Sequence, residues 1–466
     1  MSRRVDLLIV GAGPAGMSAA TTARRYGLDV LVVDEQSSPG GQIWRNIEHL
    51  SGTPRMAILG KAYEKGLDVV NAFRASGAVF EHGTQVWQIE AGARAFMTRN
   101  GAASSVEAGH LLLATGAQER PAPFPGWTLP GVMTIGAAQI VLKSSDQIPS
   151  EPVWIAGSGP LSLLYAAQLL KAGGQIAGFL DTTPAGRVVE ALSKFTGAAM
   201  NAPADLFKGL GWLLSLKRHV RFIAHVTEIE AFGTDRLEQI RYVTAKGRTA
   251  TVAARLLLVH EGVVPTIHPT LALGCKHVWN IDQDSFAPGL DAWGETSEAG
   301  VFVAGDNAGI GGATAACLRG ELAGLGVARK AGRISAAEAQ TAAKPIRARL
   351  KRALAARPFL DRLYRPRQKV FVPDDHTIAC RCEEVSVASV RAEIASGRPG
   401  PNQIKAFTRA GMGPCQGRQC GYTIARILAA AEGRAVPDVG LQRVRPPLKP
   451  VTLGELAALI DADQTP

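Results

Sequence analysis

The chain has 466 residues, 46% of them hydrophobic and 20% charged, and a formal net charge of +11. That length is too great for one hydrophobic core and predicts two or three domains, and the composition excludes a disordered or fibrous protein. No apolar run approaches the roughly 20 residues that cross a bilayer, and the short run after Arg3-Arg4 is one strand long, so a cytoplasmic protein without a targeting segment is expected, with peripheral attachment to the inner membrane left open.

The opening stretch, VDLLIVGAGPAG, reads as a buried strand (residues 7–10) running into Gly11, Gly13, Pro14, Ala15 and Gly16. This is the spacing of a dinucleotide fingerprint: one glycine for the tight turn, one for backbone approach to a pyrophosphate, one for helix-on-strand packing. A helix over 15–26 follows, its N-terminal N–H groups aimed at phosphate. A second apolar strand (30–33) ends in Asp34 and Glu35, and an acid about 20 residues past the glycines suits a ribose hydroxyl. Next comes the turn Gly40-Gly41-Gln42, whose backbone could lie along the second half of a flavin nucleotide, then a mainly helical stretch over 43–75 beginning with Trp44 and Arg45. Alternation over 78–107, which includes Val86 as a further expected cofactor contact, predicts antiparallel strands. A buried strand (111–114) turns at Thr115-Gly116, and a proline-rich passage (121–130) marks a boundary.

Residues 153–170 repeat the opening, with Gly157 and Gly159 ahead of a helix and a second strand (176–180) ending in Asp181. Ser162 stands where the third glycine belongs, which predicts looser packing. NAD(P), another adenine nucleotide and an empty pocket all stay open for this unit. A helical insertion spans 184–219, and strands are expected at 220–229, 238–244 and 256–259. His260 and Glu261 either line the nucleotide pocket or cap a strand end. The strand 301–304 leads to Gly305-Asp306 and a glycine-rich helix start containing Ala313. The fingerprint, Thr115-Gly116 and Gly305-Asp306 in this order point to FAD, with Asp306 reaching flavin ribityl hydroxyls and the helix behind it stabilising negative charge on the ring.

Residues 331–372 carry eleven Lys or Arg against Glu338 and Asp361. No nucleic-acid signature accompanies them, so nucleic acid is not expected as a partner. A solvated helical linker with Ile346, Leu350 and Leu354 turned inward, or a basic belt docking an acidic partner, is the preferred reading, and an anionic membrane surface ranks second. Four of the six cysteines crowd into 380–420: Cys380 and Cys382 as CxC, Cys415 and Cys420 as C-x4-C. Four thiolates hold zinc or an iron–sulfur cluster. Structural zinc takes wider knuckles than CxC, whereas a [2Fe–2S] rhomb takes two ligands per iron, so the spacing favours the cluster, with Arg381 and Arg418 offsetting its charge. The division expected is 1–118 and 269–330 for an FAD domain, 119–268 for an inserted nucleotide domain, 331–372 for the linker, 373–436 for the cysteine domain and 437–466 for a tail with one helix.

The motifs GAGPAG, GGQ at 40–42, ATG at 114–116 and VFVAGD at 301–306 resemble the two-dinucleotide flavoprotein disulfide reductases, an α/β Rossmann-type fold. Their redox CxxC is missing. Cys275 and Cys317 stand alone and are read as buried structural thiols, so disulfide reduction is not expected. The cysteine module resembles bacterioferritin-associated ferredoxin domains, with C-x4-C for their C-x2-C. Over nearly its whole length, through MSAATTARRYGLDVLVVDEQSSPGGQIWR, PGWTLPGVMTIGAAQ, CRCEEV, GMGPCQGRQCG and RPPLKPVTLGELA, the chain resembles the FAD-containing α-type subunits of heteromeric opine oxidases, and similar subunits of cis-4-hydroxy-D-proline dehydrogenase and hydrogen cyanide synthase. The resemblance implies an electron-transfer protein carrying FAD and [2Fe–2S], with no catalytic residue of its own. It implies a partner resembling D-amino-acid oxidase that takes hydride from a C–N bond, room for an interface FMN and a small third subunit, and a quinone or other acceptor. The rival is a self-sufficient NAD(P)H oxidoreductase.

Overall fold

Apolar residues that follow one another without polar alternation make strands buried on both faces, and such strands build the parallel sheets here. The computed structural model describes residues 3–397 and 400–464; residues 1–2, 398–399 and 465–466, which fall in the first, the cysteine and the tail segments expected above, lie outside it. The chain forms two compact units: Met1–Gln118 with Val264–Leu354 and Val444–Pro466, and Glu119–Val263 with Ala355–Arg443.

In the first unit a seven-stranded sheet runs in the order Val79–His82, Val30–Asp34, Arg3–Val10, Ala102–Leu113, Arg94–Arg99, Thr84–Glu90, with Val301–Val303 also on Ala102–Leu113. Leu7 to Val10 lie parallel to Val30 to Val33. The separate strands expected before and at 111–114 are one strand of twelve residues. Its first half pairs antiparallel with Arg94–Arg99, and its second half pairs parallel with Val301–Val303. The polar alternation of the first half and the apolar run of the second follow from that change of neighbours. Leu8, Leu31, Val33, Leu111, Leu113 and Val303 form the core beneath it. On the other face the helices Pro14–Arg25 and Ala313–Lys330 pack closely, because Gly320 and Gly324 present no side chain to the Ala15 and Ala19 backbone. Helix Ala336–Leu354 covers Ala313–Lys330, with Ile346, Leu350 and Leu354 half-buried. The tail returns to this unit, where Leu448 N donates to Trp87 O.

In the second unit five parallel strands run in the order Phe222–Ile223, Ile176–Asp181, Val153–Ser158, Leu257–Glu261, Val132–Thr134. Beside them lies an antiparallel meander, Val226–Phe232, Gln239–Thr244, Thr249–Ala253. The single strand expected at 220–229 is broken at His225, whose φ of 57° turns the chain from one sheet to the other. The insertion forms helices Arg187–Leu192, Phe195–Asn201 and Pro203–His219. Residues 331–372 are therefore not one linker: Arg357–Leu363 packs in this unit, Phe359 meeting Ala191 and Ala198. The cysteine module has a short hairpin (Ile378–Cys380, Val385–Ser386) and helices Val387–Ala395, Pro401–Thr408 and Gly421–Glu432, packed around Val387, Val390, Ile404, Ile424 and Leu428. Among the described residues no helix is long and apolar enough to cross a membrane.

Candidate cofactor sites

The first fingerprint closes into a cradle of bare backbone. Gly11 has φ +106°, and a Cβ there would stand 3.0 Å from the Ala114 carbonyl carbon. A Cβ on Gly16 would lie 3.1 Å from the Gly11 carbonyl carbon and 3.3 Å from Ile9 Cγ2. Gly41, at φ +61°, faces Gly13 so closely that a Cβ would come to 2.8 Å from the Gly13 Cα, and Gly40 N donates to Ala12 O at 2.8 Å. The turn at 40–42 is thereby clamped to the fingerprint. Pro14 and Ala15 open helix Pro14–Arg25 behind it.

Asp34 Oδ2 accepts from Ala12 N at 2.6 Å and Oδ1 from Gln36 N at 2.8 Å. Burial pushes its carboxyl above the usual range against the pull of these two N–H groups. Arg45 binds the Gln36 and Gln42 side chains, and its charge favours the ionised Asp34. Glu35 pairs instead with Lys449 at 2.9 Å, and Val86 lies in Thr84–Glu90 against the sheet core.

The two later segments meet the fingerprint in the same unit. Thr115 Oγ1 donates to Thr266 O at 3.2 Å, and Gly116 O accepts from Thr266 N. A Cβ on Gly305 would lie 3.0 Å from Ala15 Cβ. Asp306 Oδ1 accepts from Gly311 N at 2.8 Å and Gly312 N at 2.9 Å, fixing the turn that leads into Ala313–Lys330 with Ala313 as its first residue. Asn307, not anticipated from the sequence, donates to Leu113 O at 2.8 Å, while its buried Oδ1 has no partner among the described residues. Glycine turns, an N-terminal helix end and an orphaned buried oxygen at one place fit an elongated anionic cofactor with hydroxyls.

The second fingerprint is built differently. Gly159 caps helix Pro160–Lys171 at φ +101°, and the buried Ser162 hydroxyl donates to Gly159 O at 2.7 Å, pinning the turn where looser packing was expected. Gly157 packs against the His260 backbone. Asp181 Oδ1 accepts from Thr183 N at 3.0 Å. His260 Nδ1 lies 2.7 Å from Glu119 Oε1, and Glu119 Oε2 accepts from Gly136 N at 3.0 Å. The buried Glu261 takes Arg367 at 3.2 Å. Burial raises the Glu261 carboxyl and Arg367 opposes that rise. Tyr364 lies against Gly159, and burial together with the Asp181 charge pushes its phenol up to about 12. The segment after Arg357–Leu363 thus lies beside the second fingerprint and Asp181.

The four clustered cysteines converge: the Cys380 thiol interacts with Cys420 and the Cys382 thiol with Cys415, and Cys420 also lies in the electrostatic reach of Cys382 and Cys415. The Cys420 thiol pulls Cys380 down to about 6, while Cys420 itself is raised. Gly413 leaves room for Cys382, where a Cβ would run into that side chain. Arg381 sits 6.0 Å over the Trp127 ring. Among the described residues no three His, Cys, Asp or Glu side chains gather as they would around one metal ion. Four converging thiols suit either one tetrahedral ion or a two-iron rhomb, and the rhomb is the reading that the CxC spacing favours. The Gln442 amide is buried against Gly411 and Gly417 of the same loop, with both polar atoms unpartnered among the described residues. Cys275 is buried and Cys317 half-buried, and burial raises both thiols.

The family described as pyridine nucleotide-disulphide oxidoreductase matches residues 5–339, and the sarcosine oxidase A3 domain matches residues 377–459. The opine oxidase A-type subunit of Agrobacterium tumefaciens (strain Ach5) is 43% identical, with 97% of this chain and 92% of that protein covered. Its namesake from Rhizobium meliloti (strain 1021) is 42% identical over 98% and 99%. Hydrogen cyanide synthase subunit HcnB of Pseudomonas aeruginosa is 33% identical over 95% and 96%. In fold the chain is similar to L-proline dehydrogenase from P. horikoshii, with a TM-score of 0.70 at 20% identity over 98% of this chain and 80% of that one.

Proposed function

The chain belongs to the pyridine nucleotide-disulphide oxidoreductase family, in the group of opine oxidase A-type subunits, and from that premise we propose that this flavoprotein oxidoreductase subunit relays electrons within a heteromeric opine oxidase or a related secondary-amine dehydrogenase. The residues Gly11 to Gly16, Asp34, Gly40 to Gln42, Thr115-Gly116 and Gly305-Asp306 would hold FAD, and Cys380, Cys382, Cys415 and Cys420 a [2Fe–2S] cluster, which together supply a two-electron and a one-electron centre. A partner resembling D-amino-acid oxidase removes hydride from the substrate carbon that bears the nitrogen, the C–N bond becoming C=N as nitrogen loses its proton, and a quinone or similar acceptor receives the electrons. The observation that carries this reading is the coexistence in one chain of the glycine cradle and four converging cysteines.

The chain's own residues act as scaffold. Asp34 locks the fingerprint turn, Gly41 holds the second turn against it, and Asp306 sets the start of helix Ala313–Lys330. Reduction by NAD(P)H at the second unit is the competing reading. Anaerobic mixing separates the two. With NADH the flavin spectrum should stay oxidised, and with the co-expressed partner and an opine it should bleach. Rapid bleaching by NADH alone would overturn the relay.

A further inference from the structure

The helical insertion of the second unit buries one side and leaves the other apolar and bare. Ala191, Ala198 and Leu216 point into the unit. On the outside, Met200 is 82% exposed, Phe207 74% and Leu214 58%. Phe207, Leu210 and Leu214 stand at i, i+3 and i+7 of helix Pro203–His219, which makes a single apolar stripe. Exposed hydrophobic groups gathered this densely mark a contact surface.

The charges around the stripe indicate what it meets. Lys208 follows Phe207 directly, with its ammonium 4.9 Å from the Trp212 ring, and Lys217 and Arg218 end the helix, all three exposed. Of the nearby acids, Glu190 is already paired with Arg187 and Arg362. Protein interfaces are depleted of lysine at their centres, whereas a helix lying in a bilayer interface carries lysine and arginine beside its apolar face, with tryptophan at the boundary. At 17 residues this helix is about 25 Å long and carries too much charge to span. We propose that the insertion docks on an anionic phospholipid bilayer. The Phe207, Leu210 and Leu214 side chains enter the acyl boundary, and Lys208 and Arg218 meet headgroup phosphates. This goes beyond the relay and stands independently of its cofactors.

The test uses the full-length protein as purified, floated with vesicles of phosphatidylcholine alone or mixed with phosphatidylglycerol. Binding should require phosphatidylglycerol, weaken with salt, and blue-shift a Trp212 emission that is missing in Trp212→Phe. Phe207→Glu with Leu214→Glu should reduce partition about tenfold or more, and Lys208→Glu about fivefold. Circular dichroism should show both variants folded, since the changed side chains are exposed. Absence of flotation, or flotation unchanged by both variants, would overturn the proposal. So would vesicle binding that disappears once the partner protein is bound, because the stripe would then be a protein–protein interface.

Discussion

Gly320→Ala sets two effects of opposite sign against each other. In an open helix interior alanine is favoured over glycine by about 1 kcal/mol. At position 320, however, the new Cβ would stand 2.9 Å from the Ala15 carbonyl carbon and 3.0 Å from its Cα, with the carbonyl oxygen closer still. Comfortable carbon contacts begin near about 3.5 Å, so helices Pro14–Arg25 and Ala313–Lys330 must part by about 0.5–1 Å. The obstacle is backbone and cannot rotate aside. Overpacking of this kind costs about 1–3 kcal/mol, which leaves a net loss of about 0–2 kcal/mol. Ala15 opens the helix behind the fingerprint, so the separation also disturbs the glycine cradle and should weaken flavin binding by up to about 30-fold. Gly211→Ala is the control, because nothing lies within 4 Å of its Cβ position, and it should gain about 0.5–1 kcal/mol. Thermal melts and flavin retention after dilution read both variants. A Gly320→Ala protein that melts higher than the parent and keeps its flavin would refute this reasoning.

Arg367→Leu strands the buried Glu261 carboxylate and should cost about 3–5 kcal/mol by urea denaturation, much of it restored by adding Glu261→Gln. A loss below about 1 kcal/mol, roughly what an exposed pair is worth, would mean that the pair is effectively solvated. Cys382→Ser should remove the iron and leave the flavin bound, as read by metal analysis and visible spectrum; loss of both together would show that the cysteine module supports the FAD unit. The Tyr364 phenol ionises near 10 when unfolded but is held neutral to about 12 when folded. Its contribution to stability is therefore complete below pH 10 and is lost as pH rises through 12. Tyr364→Phe should flatten the alkaline fall in melting temperature, and an unchanged fall would remove that assignment.

The fingerprint was legible because each glycine answers a local demand: Gly11 for its left-handed turn, Gly16 for contact with the strand, Gly41 for contact with Gly13. Gly320 and Gly324 answer a demand from another helix some three hundred residues away, and nothing local distinguishes them from any helical glycine. Asn307 was hidden for the same reason, since its hydrogen bond ties the turn Asp306–Ala308 to a strand end nearly two hundred residues away. The CxC and C-x4-C spacing marked four cysteines as one group but not that Cys380 meets Cys420, which depends on how the Ile378–Cys380 hairpin meets the start of Gly421–Glu432. The basic stretch 331–372 is uniform in charge, yet its apolar residues divide it: Ile346 and Leu350 pack in one unit and Phe359 in the other. Tyr364 and Arg367 read as linker residues in sequence, although their work is to cover Gly159 and to neutralise Glu261.

The most direct measurement on the relay is low-temperature electron paramagnetic resonance of the dithionite-reduced chain, with iron, zinc and flavin assayed on the same sample. Expected are a two-iron cluster signal, about two irons and about one FAD per chain, and no zinc. Stoichiometric zinc with no signal would make the four cysteines a structural knot and leave the flavin without an electron outlet in this chain.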